Sequence, residues 1–96
     1  MAAGLRTGDL AFPMLYCPEF HRLEFTSVVA DMRNSVADRG NAQSSCAGQF
    51  IGNHLERYLE AGGRWVHVDM AGPCSAADSR ATGYGTALLF DLARTF

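Results

Sequence analysis

Three small groups of residues in this chain could do chemistry, and each is incomplete. His21 and Glu24 lie one helical turn apart, so both could touch one ion. No third ligand stands at helical spacing, and there is no His-Glu-x-x-His, which would place two imidazoles on one helix face. The two read as a surface pair. His67 and Asp69 share one face of an extended segment. A His-Asp dyad needs a nucleophile, and Cys74 or Ser75 on the following loop is the local candidate. No Gly-x-Ser-x-Gly elbow frames Ser75, so Asp69 is expected instead to bond loop amides and order them. Gly83-Tyr84-Gly85 before a helix invites a dinucleotide reading, but the third glycine position of that motif holds Leu88. The loop before it is also far longer than the tight turn the motif requires. The glycines read as allowing a helix start to pack closely on backbone.

Composition removes further classes. All eight basic residues are arginine, so no Schiff-base, Walker or general-base lysine exists. The formal net charge of −2 leaves no electrostatic footprint for nucleic acid or an anionic membrane. Cys17, Cys46 and Cys74 are widely spaced with no Cys-x-x-Cys, so they read as reduced, mostly buried thiols of a cytosolic protein. No run approaches a membrane span, and the first residues lack the apolar stretch of a signal peptide. A cytoplasmic location is the expectation. With 96 residues, 48% of them apolar, the chain is one small globular piece near the lower limit for a self-sufficient core.

The elements that must position these groups follow from periodicity. Residues 1–9 are small and polar and are expected to fray. Residues 10–16 are apolar but interrupted by Pro13, an edge strand or extended loop. Pro18 opens a short helix over 19–25, 25–32 is β-branched-rich and reads as a strand, and 38–45 is a loop. The clearest element is a helix from about Ser45 to Ala61. Its stripe of Cys46, Ala47, Phe50, Ile51, Leu55, Tyr58 and Leu59 faces a core, and His54 sits half-buried at the stripe's edge. Ser44 or Ser45 caps it and Gly62-Gly63 end it. Arg64–Met70 is a strand covered on both faces. A loop over 71–81 leads to a final helix, capped by Thr82, with Leu88, Leu89, Leu92 and Phe96 on one stripe. Helix, strand, loop, helix is α/β grammar.

Several blocks, in order, carry a family resemblance. Trp65-Val-His-Val-Asp-Met-Ala-Gly72, followed by Ala81-Thr-Gly83 and an apolar helix, resembles the C-terminal end of the leucyl (cytosol) aminopeptidase family. Leu15-Tyr-Cys-Pro-Glu19, Glu24-Phe-Thr-Ser27, Ala30-Asp-Met32, Asn34-Ser-Val-Ala-Asp-Arg39 and Ser44-Ser-Cys-Ala-Gly48 are similar to its probable aminopeptidase-like branch. The resemblance covers residues 8 to 96. It implies the C-terminal portion of a three-layer α/β/α metallopeptidase catalytic domain over residues 10–96. It also implies a hexameric exopeptidase acting on peptides, with two divalent ions, zinc or manganese, and a bicarbonate. The family's Asn-Thr-Asp-Ala-Glu-Gly-Arg-Leu motif and its active-site lysines are not in this sequence, so no catalytic residue and no metal ligand is carried over. What the resemblance does imply is a pocket for the substrate's N-terminal side chain, lined by the loop after the His-x-Asp-x-Ala-Gly strand. Ala71 and Cys74 match it, and Ser35 in the Asp-Met-x-Asn block is a further pocket residue. Cys74 departs from the more usual apolar residue. Taken alone the chain is expected to be inactive, and the rival reading is a non-catalytic piece that associates with full-length subunits.

Overall fold

A computed structural model describes residues 1–96. The chain divides into two units, one made of Met1–Pro13 with Met70–Phe96, the other of Met14–Asp69.

In the first unit, helix α1 (Ala2–Thr7) packs on the last helix, α5 (Thr86–Thr95). Residues 1–9 were expected to fray. They are instead fixed by buried Ala3 and by Arg6, whose Nη2 and Nε donate to Asp91 Oδ2 at 2.5 and 3.1 Å. Gly4 lets the backbone of residues 9–11 fold back onto α1, because a Cβ there would lie 2.7 Å from the Asp9 carbonyl oxygen. Thr82 does not cap α5. Its hydroxyl donates to the Pro73 carbonyl and accepts from Tyr84 N. The N-cap position is Gly85, in the left-handed region at φ 90°, where a side chain is disfavoured. The orphan amides of Gly85 and Leu88 are taken by Asp9 Oδ2, both at 3.1 Å. A carboxylate from 76 residues away thus does the work of a local cap.

In the second unit, Pro18 opens α2 (Pro18–His21) as expected, and a 3₁₀ turn continues it over Arg22–Phe25. The expected strand over 25–32 does not form. Arg33 N bonds back to the Phe25 carbonyl, Ser27 Oγ accepts from the amides of Val29 and Ala30, and Val28 and Val29 are almost fully exposed. The predicted long helix is present in three joined pieces: α3 (Gln43–Gly52), a 3₁₀ turn (Asn53–Leu55) and α4 (Glu56–Glu60). Gly62 follows at φ 83°, the expected left-handed terminator. Neither Ser44 nor Ser45 caps α3. Its N-cap is Ala42, and Ser45 Oγ accepts from Cys17 N at 2.9 Å.

The face α3 buries also differs from the expected stripe. It consists of Ser45, Cys46, Gly48, Gln49 and Gly52, while Ile51 and Ala47 are exposed. The glycines let two rings lie on the helix backbone. A Cβ on Gly48 would be 3.3 Å from the Tyr16 ring, and one on Gly52 3.0 Å from the Tyr16 hydroxyl and 3.3 Å from the Trp65 ring. Tyr16 and Trp65 contact each other at 5.6 Å between centroids. His54 is exposed, edge-on to Phe50, and not half-buried. The strand expected over 64–70 does not form, and a single antiparallel bridge, Ser75 to Ala81, is the only strand-type pairing. The chain thus holds no sheet of its own.

Candidate functional site

Ala71 and Cys74 lie on the loop between residues 64–70 and α5. Ala71 precedes a 3₁₀ turn, Gly72–Cys74, and both residues are exposed. The loop is ordered from within. Cys74 Sγ donates to the Ala71 carbonyl at 2.7 Å, Thr82 N to the Cys74 carbonyl at 3.1 Å, and Ala76 N to the Arg80 carbonyl at 2.8 Å. Ser79 sits at φ 65°, and Arg80 Nε donates to Asp78 Oδ2 at 2.6 Å. Asp69, expected to order this loop, is exposed, and backbone bonds of the loop itself take that role. The result is a closed surface loop that presents small side chains, Ala71 and Cys74, on a held backbone. That suits it to form one wall of a recess and gives it no catalytic group of its own.

Ser35 lies in the other unit, exposed, beside an open hollow of about 370 Å³ lined also by Asn34, Val36, Arg39 and Gln43. His67 is half-buried against Trp65, with ring centroids 6.3 Å apart, and no nucleophile bonds it.

The reading of His21 and Glu24 as a surface pair is corrected. His21 is 9% exposed. Its ligand atom, a carboxylate oxygen of Glu24 and the Cys46 sulfur all lie within 4.8 Å of one another. Sequence spacing could not show this, because Cys46 comes from α3, on another helix. His21 Nδ1 lies 3.5 Å from Ser45 Oγ and 3.4 Å from Gln49 Nε2, and Asn41 Nδ2 donates to Glu24 Oε2 at 2.5 Å. Burial raises the Cys46 thiol above its ordinary value, and the carboxylates of Glu24 and Asp38 push the same way.

This is the only group of three or more potential metal ligands in the chain, and it holds one carboxylate. A two-ion hydrolytic centre needs several converging on an ion pair. No other group of three or more such ligands exists among the ten acidic residues and their neighbours, so the residues present do not fit such a centre and no step is routed through one.

Comparison with known proteins places the whole arrangement. Residues 1–90 match the model of the cytosol aminopeptidase family, catalytic domain. The chain is 57% identical over 90 residues to the human protein named probable aminopeptidase NPEPL1, covering 94% of this chain and 17% of that protein. It is 42% identical over 91 residues to leucine aminopeptidase 1 of Caenorhabditis elegans, covering 94% and 18%. Among solved structures, leucyl aminopeptidase of Trypanosoma cruzi superimposes with a TM-score of 0.81 at 53% identity, over 97% of this chain and 18% of that one. The enzyme of Leishmania major, solved with actinonin, gives 0.78 at 47% identity over 99% and 17%. The chain thus spans less than a fifth of the length of these relatives. Its fold is that of a C-terminal α/β segment of their kind. Likeness this close, along nearly every residue, makes the chain a member of the cytosol aminopeptidase family, in the branch of the probable aminopeptidases.

Proposed function

We propose that this chain is the C-terminal portion of a metal-dependent aminopeptidase that releases N-terminal residues from peptides. In that reading it supplies a wall of the substrate pocket and none of the reacting groups. The observation that carries it is the likeness along the whole chain to named aminopeptidases, at up to 57% identity. In this reading Ala71 and Cys74, on the self-bonded loop over 71–82, border the pocket for the substrate's N-terminal side chain; Ser35 is a pocket candidate by the family resemblance alone. The two divalent ions, zinc or manganese, and a bicarbonate belong to a part of the domain not in this chain. The full-length protein is a homo-hexamer acting on peptide substrates in the cytoplasm. No helix here is long and apolar enough to cross a membrane.

One observation favours a second reading, a catalytically silent piece that associates with full-length subunits. Large apolar side chains stand uncovered, among them Phe12, Phe20, Leu23, Ile51 and Phe90. A surface of that kind marks a place for another protein surface. Both readings predict that the chain alone does not hydrolyse leucine p-nitroanilide with added manganese or zinc. Turnover above the metal blank, abolished by Asp69→Ala, would overturn both. Restored turnover on mixing with a subunit truncated before this segment supports the first reading. Binding to intact subunits without any change in rate supports the second.

A further inference from the structure

We propose that His21, Glu24 and Cys46 form a zinc site that ties the α2 turn to helix α3. The site is separate from any hydrolytic metal centre and independent of the aminopeptidase reading. One ligand atom from each residue lies within 4.8 Å of the other two, and no hydrogen bond or ion pair joins any two of the three. An imidazole, a carboxylate and a sulfur thus converge without satisfying one another. For three atoms so spaced there is a point no more than about 2.8 Å from every one of them. Closing by roughly half an ångström gives zinc–ligand lengths of ~2.0–2.3 Å.

The surroundings fit a cation. Two buried side-chain oxygens in the chain lack a partner, Asn41 Oδ1 and Gln49 Oε1. Both are acceptors, and both belong to residues that touch a ligand: Asn41 holds Glu24, and Gln49 lies against His21. A buried acceptor without a donor is destabilising, and a water on the ion's fourth position could donate to such an oxygen. Ser45 Oγ and Gln49 Nε2 lie 3.5 and 3.4 Å from Nδ1 and hold the imidazole in place. The donor set selects the ion. Sulfur and imidazole suit zinc, whereas magnesium and calcium demand oxygen. On binding, the Cys46 thiol loses its proton to solvent, and thiolate plus carboxylate balance the +2 charge.

The test is cobalt and zinc titration of the chelator-treated full-length protein, with Cys46→Ser as the reference. The three ligands span residues 21 to 46 of one unit, so coordination is local. The expected result is one cobalt per chain beyond those bound by Cys46→Ser, with the thiolate-to-cobalt charge-transfer band and the intense visible bands of tetrahedral cobalt, displaced by zinc. Cys46→Ser should remove the charge-transfer band, His21→Asn should weaken binding at least ~100-fold, and Cys17→Ser should keep the full spectrum. Where a variant loses its metal-free circular dichroism, the wild-type chain decides, because zinc should slow alkylation of Cys46 at least tenfold and leave Cys74 unchanged. Denaturant should abolish the band. A spectrum unchanged in Cys46→Ser or in denaturant, or no binding at micromolar cobalt, overturns the site.

Discussion

Removing every metal from the isolated chain should leave it without a cooperative fold, and the magnitude follows from its surface. The accessible area is 7223 Å². A folded monomer of this mass exposes about 5,400 Å² on the usual size scaling, so roughly 1,800 Å² is in excess. If about 57% of that is apolar, as on ordinary surfaces, about 1,000 Å² of apolar area is uncovered. At ~25 cal/mol per Å² this amounts to about 25 kcal/mol of burial not realised, against the ~5–15 kcal/mol that separates folded from unfolded in ordinary domains. The buried apolar side chains are Ala3, Phe25, Cys46 and Leu88, too few to offset the loss. The 64–70 segment has no strand beside it, and an unpaired edge is a template for association. Hydrophobic-dye binding should therefore be strong and calorimetry should show no sharp heat-absorption peak. The near-ultraviolet circular dichroism of Trp65, the single tryptophan, should be weak. A monodisperse monomer with a cooperative melt would refute the reasoning and make the segment an autonomous domain.

Three further outcomes are expected. In the full-length enzyme, Ala71→Phe should shift preference toward smaller N-terminal side chains by about 1–3 kcal/mol per methylene excluded, and an unchanged ratio of kcat/KM for leucine and alanine substrates would remove Ala71 from the pocket. There too, Asp9→Ala should cost about 1–2 kcal/mol, since it strips two amides of α5 of their acceptor along with the favourable charge at a helix start; faster exchange of the Gly85 and Leu88 amides reads it, and unchanged exchange refutes it. Burial, then Glu24 and Asp38, raise Cys46 above its ordinary 9.0, with His21 also facing it. The folded chain then holds this proton longer than the unfolded one, so its contribution is complete below about pH 9 and lost as pH rises through the raised value. In the metal-free full-length protein, Cys46 alkylation should accelerate only above that pH, and a rate that levels off near neutrality would show a reactive thiolate instead.

Local chemistry in the sequence determined the membership and much of the element order. The blocks around Trp65–Gly72 and Ser44–Gly48 identify the family, Pro18 opens its helix, and Gly62 closes the long one, because these depend on nearest neighbours and backbone freedom. Tertiary structure decided what periodicity cannot carry. The stripe with Ile51 and Leu59 was expected to face a core, but the structure buries the Ser45, Gly48, Gln49 and Gly52 face. Two aromatic rings need glycine to approach the helix, and apolar count says nothing of close approach. Strands were expected at 25–32 and 64–70, and neither pairs, since β-branched residues favour extension while pairing requires a neighbour. Asp9 caps α5 from the far end of the chain, and Cys46 joins His21 and Glu24 from another helix. Both juxtapositions are long-range, and a ligand or cap supplied from elsewhere leaves no spacing in the sequence to read.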